Sequence, residues 1–239
     1  MVVSLWSGPR NCSTALMYSF AQRSDAQVFD EPLFAHFLKV TGVDRPSRED
    51  VLATISSDPT EIQERWKASQ KPCVFLKHMA NHQEGLDPSM FKDHHHVILT
   101  RDPRKVLESY TAHIKSPTHL DLCYQHQLAW LNHCDANGWP VTVLDSDALV
   151  DKPEESLKRL CEWLDLPFIA EMLRWAPGPR TEDGVWAKYW YQSVHASSGW
   201  EPMRKKAIDG EDAADLGRFS SILHEITPVF KQLKDRSII

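Results

Sequence analysis

No apolar run in this 239-residue chain approaches the ~20 residues that a membrane-spanning helix needs. The opening Val2 to Trp6 is apolar but short, and without a basic flank it does not read as a secretory leader. Basic residues nowhere run longer than Arg204-Lys205-Lys206, and the formal net charge is −6, which argues against bulk attraction to nucleic acid. The five cysteines (Cys12, Cys73, Cys123, Cys134, Cys161) show no C-x-x-C spacing, and their odd number in a chain long enough to fold without staples favours a reducing compartment. The expectation is therefore a cytoplasmic protein with neither a membrane nor a nucleic-acid partner. Twelve histidines raise the question of a metal, above all at His94-His95-His96. Successive strand residues face opposite ways, so three in a row share no ligand face, and no metal is expected.

What is present is a globular composition, 42% hydrophobic and 25% charged. Short apolar runs alternate with helical patterns. Val2–Trp6, Ala26–Asp30, Pro72–His78, His96–Thr100 and Val141–Leu144 read as five strands. Between them, residues 46–70 carry one or two surface helices with caps at Ser47 and Thr60. Asp102 and Pro103 suit the N-cap and first position of a helix that buries Val106, Leu107, Tyr110 and Ile114. A long helix is expected from about Leu120 to Cys134, stopping near Asn137-Gly138, and another from Pro153 burying Leu157, Leu160, Cys161 and Leu164. Beyond Pro167, Trp175, Trp186, Trp190 and Trp200 sit among Gly and Pro as irregular cover, before a last helix from Ala213 that extends towards Lys234.

Alternation of this kind implies an α/β fold with a mostly parallel central sheet of about five strands, covered on both faces. Ligands of such sheets bind beyond the carboxyl ends of the strands. There the sequence concentrates polarity: Ser7 to Thr14, Asp30-Glu31, Lys77-His78 and Arg101. The stretch Ser7-Gly-Pro-Arg-Asn-Cys-Ser-Thr14 joins a strand to a helix N-terminus, which aims backbone N–H groups and the positive end of a helix dipole at one point. Gly8-x-x-x-x-Ser13-Thr14 is similar to a Walker A loop, but the lysine that should precede the hydroxyl residue is missing, and Cys12 stands before Ser13. A nucleotide triphosphatase needs that lysine, with Mg²⁺, to neutralise the β- and γ-phosphates.

These two segments resemble the motifs of sulfotransferases that use 3′-phosphoadenosine 5′-phosphosulfate (PAPS). The first loop looks like their 5′-phosphosulfate loop; Arg101 with Ser109 eight residues later looks like their 3′-phosphate motif. The strand and helix of Leu144 to Pro167 are similar to what usually follows, and Phe29-Asp-Glu-Pro-Leu33 with Lys77-His-Met-Ala-x-His82 resembles a small bacterial-type subgroup. The resemblance implies one P-loop-like, three-layer domain over 1–239, with a core of 1–168 carrying both motifs and 169–239 as cover. It implies PAPS as co-substrate, no metal, and a small-molecule or carbohydrate acceptor. It assigns Gly8, Pro9, Arg10, Asn11, Cys12, Ser13, Thr14, Arg101, Ser109 and, more loosely, Arg204 to the donor.

Attack by a hydroxyl or amine needs a general base. Glu31, which precedes a proline as in carbohydrate-type sulfotransferases, is the first candidate. His78 is the second, near the Lys-x-His of the small-molecule enzymes but one residue out of register, and His82 comes third. Lys77 stands as a stabiliser of charge on the transferred group, and Arg10 as the basic residue on the 5′ side, where relatives often carry lysine. The aromatics Trp175, Trp186, Trp190 and Tyr191 are candidates for a wall around acceptor or adenine, and residues 36–48, 78–92 and 175–200 for the loops that set acceptor specificity. Two other readings stay open from sequence: a P-loop kinase or hydrolase, and a non-catalytic nucleotide-binding protein of the same fold.

Overall fold

The computed structural model describes residues 1–200 and 216–239. In chain order its elements are β1 (Val2–Ser7), α1 (Ser13–Ala21), β2 (Ala26–Asp30), α2 (Phe34–Thr41), α3 (Arg48–Thr54), α4 (Pro59–Lys67), β3 (Cys73–Met79), β4 (His95–Thr100), α5 (Pro103–Tyr110), α6 (His119–Leu122), α7 (Tyr124–Asn137), β5 (Val141–Asp145), α8 (Ser146–Asp151), α9 (Pro153–Trp163), α10 (Ala187–Trp190), α11 (Gln192–His195) and α12 (Ser220–Lys234). Short 3₁₀ turns join several of them. The strands form one sheet in the order β2-β3-β1-β4-β5, and every neighbouring pair is parallel.

Period-two alternation explains the layers. In β1, Val3 and Leu5 point to one face, where they pack with Phe75, Val97 and Leu99 against α1 and α9; Trp6 points to the other, with Val74, Leu76 and Ile98 under α4, α5, α7 and α12. With β1 central and both faces buried, the strands are near-continuous apolar runs, as a parallel sheet requires. A third cluster, Phe34, Phe37, Leu38, Val51, Trp186 and Tyr191, joins α2 and α3 to the segment around α10 and caps the carboxyl end of the sheet.

Four local expectations change, the first being that α5 ends at Tyr110, so Ile114 lies beyond it and is only half-buried. The cap of α4 is Asp58, whose carboxylate accepts the N–H groups of Thr60 and Glu61 while Pro59 takes the first helical position, so Thr60 lies inside the helix. The helix expected from Leu120 to Cys134 breaks at Cys123, which adopts φ 67°, into α6 and α7. Ser47 does precede α3, but without a side-chain capping bond. Residues 213–215 of the expected last helix lie outside the described residues; from 216 a 3₁₀ turn leads into α12, which carries Pro228 internally.

Alternation also places the histidines. His94 and His96 face the Trp6 side, where the indole N–H groups of Trp6 and Trp130 both donate to His96 Nδ1 at 3.2 Å, and His94 Nδ1 pairs with Ser4 Oγ at 2.8 Å. His95 faces the other way, towards Trp163. His78 stacks on Trp6 at 4.5 Å with neither ring nitrogen partnered. Burial, first, then neighbouring histidines, holds His78 well below its ordinary value; His96 is lowered to about 3 and His94 to about 4, in each case chiefly by burial.

These groups stay neutral in the fold and titrate near pH ~6.5 when unfolded. The unfolded chain therefore binds more protons below ~6.5, and stability is lost as pH falls from there towards 4. Each histidine contributes about 2 kcal/mol of loss between pH 7 and 5. His78→Phe removes one such group without breaking a hydrogen bond. Its urea-unfolding free energy is expected to fall about 2 kcal/mol less than the wild type's over that interval; an unchanged difference would show that His78 is not held neutral.

Candidate active site

The carboxyl ends of β1, β2, β3 and β4 open onto one cavity of about 320 Å³. All seven residues from Gly8 to Thr14 line it, as do Glu31, Lys77, Arg101 and Ser109. Two segments that are distant in sequence thus meet at one wall. Arg10 Nε donates to Ser109 Oγ at 2.8 Å, and Arg101 Nη1 donates to the Arg10 carbonyl at 2.7 Å.

The first loop is clamped from several sides. Asn11 Nδ2 donates to the Leu99 carbonyl at 2.7 Å, and Ser146 Oγ donates to the Asn11 carbonyl at 2.7 Å. Gly8 sits in a tight space: a Cβ there would stand 3.1 Å from the Leu122 carbonyl oxygen and 3.2 Å from Asn11 Nδ2, so those neighbours would have to give by a few tenths of an ångström. Arg10 (φ 60°) and Cys12 (φ 61°) both adopt the left-handed conformation that glycine takes most easily. Cys12 therefore fills the role of a loop glycine at a conformational cost, of order 1–3 kcal/mol for such a residue. It precedes α1, whose first N–H groups have no intrahelical acceptor and point at the cavity end of the helix. Arg101 is also tied to Asp147, which accepts from Arg101 Nε at 3.2 Å and pairs with Lys105 at 3.2 Å.

The opposite wall is built around Lys77, 1% exposed as a side chain. Its three ammonium hydrogens have three partners: Asp30 Oδ1 at 2.8 Å, Glu31 Oε1 at 2.6 Å and Tyr191 Oη at 2.7 Å. Burial alone would lower the Lys77 pKa; Asp30, Glu31 and Tyr191 overcome it and raise it well above its ordinary value, so the ammonium stays charged. Asp30 further accepts from Tyr191 Oη at 2.8 Å and from the Gly184 N–H at 3.0 Å, and Trp186 Nε1 donates to Tyr191 Oη at 3.1 Å. With its donors used, Lys77 acts here as a buried charge beside two carboxylates, and no uncommitted N–H remains for a transferred group.

Glu31 has φ 41°, a left-handed conformation for a non-glycine residue at the end of β2. Oε1 is held by Lys77, and Oε2 lies 4.0 Å from His82 Nε2. Burial raises the Glu31 carboxyl; Lys77 opposes this, and the second carboxylate, Asp30, adds to the rise. His82 lines the cavity and stacks on Phe34 at 5.0 Å; burial, then Lys77 and Arg45, hold it well below its ordinary value.

His78 departs from expectation. One step along β3 from Lys77, alternation turns it to the Trp6 face, fully buried and outside the cavity. The histidine brought to the cavity is His82, which follows the strand end. Arg204 lies outside the described residues. Among the aromatic candidates, Trp175, Trp186, Trp190 and Tyr191 all line the cavity. Sequence reading did not single out Arg45, Asp121 or Asn81, which line it as well. Among the described residues no group of His, Cys, Asp and Glu has the arrangement of a metal site, and no helix is long and apolar enough to cross a membrane.

Comparison with known proteins agrees with this architecture. A family model described as a sulfotransferase domain matches residues 1–236. Among solved structures, the chain is similar to the sulfotransferase domain from the curacin biosynthetic pathway, with TM-score 0.56 and 19% identity over 98% of this chain and 97% of that one. It is also similar to the sulfotransferase domain from the Synechococcus PCC 7002 olefin synthase, with TM-score 0.55 and 15% identity over 84% of each chain. At these identities the likeness is one of fold. Two Arabidopsis thaliana proteins named branched-chain-amino-acid aminotransferase-like protein 1 and 2 are 40% and 38% identical over 207 residues. The match takes in 85% of this chain and spans 37% of the length of each relative. With its family model matched from residue 1 to residue 236, the chain belongs to the sulfotransferase domain family.

Proposed function

We propose that the protein transfers a sulfonate group from PAPS to a hydroxyl or amine of a small acceptor, with Glu31 as general base. The observation that carries this reading is the junction of the two anion-binding segments, where the Arg10 side chain bonds Ser109 and its carbonyl bonds Arg101. A donor with phosphate groups at both ends of its ribose fits such a wall. The loop from Gly8 to Thr14 and the first turn of α1 supply backbone donors and hydroxyls for the 5′-phosphosulfate. Arg101 and Ser109 supply a guanidinium and a hydroxyl for the 3′-phosphate. The unpartnered, buried Asn11 Oδ1 and the Arg10 side chain complete the polar lining of that wall.

Glu31 Oε2 takes the acceptor's proton as the acceptor oxygen or nitrogen bonds to sulfur and the sulfur–oxygen bond to the 5′-phosphate breaks. Arg10 and the loop N–H groups meet the charge that grows on the departing phosphate. Arg10 serves as a charge there and not as an acid, since a guanidinium does not release its proton in this range. Lys77 steadies the Glu31 carboxylate through Oε1 and leaves Oε2 for the acceptor. The free thiols of all five cysteines favour a reducing compartment for this chemistry.

Arg101→Ala and Ser109→Ala are each expected to weaken binding of 3′,5′-bisphosphoadenosine in calorimetry, by about tenfold or more for the charged contact. Glu31→Gln is expected to leave that binding intact and lower kcat by about 10²–10⁴. Full turnover in Glu31→Gln together with a dead His82→Ala would move the base to His82. The pH profile of kcat supplies a separate check. Because burial raises the Glu31 carboxyl, the rate should rise with pH along a limb centred above the ordinary carboxylate value, and that limb should vanish in Glu31→Gln. A limb centred below that value would contradict the assignment.

A further inference from the structure

Beyond Glu31 the cavity wall changes character. Phe34, Trp186 and Trp190 line it on the side of α2 and α10, and Arg45, in the loop before α3, lines it too. This guanidinium is held from behind. It pairs with Asp121, whose side chain is 7% exposed, and its Nη1 donates to the Asp44 carbonyl at 3.0 Å.

Asp121 is in turn fixed by the capping box that starts α6: its Oδ2 accepts from the Thr118 N–H at 2.8 Å and from Thr118 Oγ1 at 2.8 Å. The hydrogen-bonding capacity left over in this pair decides what it suits. Both Asp121 oxygens are engaged, one by Thr118 and the other by Arg45. Among the described residues, Asp44 and Asp121 take two of the five guanidinium N–H groups, and three remain on a side chain 19% exposed at the cavity. The spare capacity is donor, planar and cationic, which is the geometry that binds a carboxylate by two parallel bonds.

Arg45 shares the Glu31 side of the cavity. Its partner Asp121 follows Leu120, whose carbonyl accepts from Asn81 Nδ2 at 2.9 Å, and the residue after Asn81, His82, lies 4.0 Å from Glu31. The donor wall has its own cations, Arg10 and Arg101, tied to Ser109, the Arg10 carbonyl and Asp147, so Arg45 is not needed there. We propose that the acceptor is a hydroxy-carboxylic acid, its carboxylate taken by Arg45, its hydrocarbon body packed against Phe34, Trp186 and Trp190, and its hydroxyl presented to Glu31. The inference rests on the sulfonate-transfer reading above and narrows it to a substrate class with Arg45 as the specificity-determining residue.

The test compares acids with their neutral esters. Initial rates from sulfur-labelled PAPS are measured for 3-phenyllactate and 3-hydroxybutanoate, each beside its methyl ester, in wild type, Arg45→Gln and Arg45→Lys. Wild type is expected to favour each acid over its ester by about ten- to a hundredfold in kcat/KM, the size of a charge-assisted hydrogen-bonded contact. In Arg45→Gln the ratio should fall to near one with 3′,5′-bisphosphoadenosine affinity unchanged, and Arg45→Lys should keep an intermediate preference. Equal use of esters, a preference that survives in Arg45→Gln, or an enzyme that binds the bisphosphate and sulfonates neither acid would overturn the proposal. A second arm needs no donor: phenylacetate should quench tryptophan fluorescence saturably in wild type and not in Arg45→Gln. That quench with no bisphosphate binding would uphold the carboxylate site and reject the PAPS reading; its absence in wild type would reject the carboxylate site whatever the donor does.

Discussion

One buried ammonium organises the Glu31 side of the cavity. Lys77 is delivered by β3, Asp30 and Glu31 by the end of β2, and Tyr191 by the junction of α10 and α11. None of the four is free to relax into solvent, and removing one partner of a buried charge pair costs about 3–5 kcal/mol because the other is left unpaired. The network is therefore held as a unit. Through the Gly184 N–H and Trp186 Nε1 it also fastens the segment that carries the aromatic wall to the end of the sheet. The same lysine that binds the cover to the core aims Glu31 at the cavity.

Backbone strain collects at the same place. Among the described residues, six other than glycine have positive φ, and Arg10, Cys12 and Glu31 of these line the cavity. Each such residue costs of order 1–3 kcal/mol and persists only where surrounding bonds over-determine it. Here the bonds are visible. Leu99 and Ser146 pin Asn11 between the two strained loop residues, and the Glu31 N–H donates to the Lys77 carbonyl at 2.8 Å. The first loop and Glu31 are thus held in place by bonds from the ends of β3, β4 and β5.

The strands and the two cavity-lining segments were legible in the sequence because each rests on local pattern: apolar runs ending in polar residues, Asp102-Pro103 as a helix start, and Arg101 just before α5 with Ser109 eight residues on, near its end. The separation of Lys77 from His78 was legible in principle, since adjacent strand residues face opposite ways, yet a motif-based match to Lys-x-His obscured it. Arg45 and Asp121 were not legible. They lie 76 residues apart, and nothing local marks either for the cavity, although 36–48 was among the loops assigned to acceptor specificity. Tyr191 was visible only as one aromatic among several; its role comes from a hydroxyl placed between Lys77 and Asp30 by tertiary packing.

The central claim is that one cavity holds both ends of a doubly phosphorylated nucleotide. Calorimetric titration with 3′,5′-bisphosphoadenosine, 5′-AMP and 3′-AMP tests it directly. Two wall segments acting on one ligand predict that the bisphosphate binds more tightly than either monophosphate by a factor of about 100, each lost phosphate removing a charge-assisted set of contacts. Equal affinities for the bisphosphate and 5′-AMP would show that Arg101 and Ser109 do not serve the ligand held by the first loop, and the account would fail.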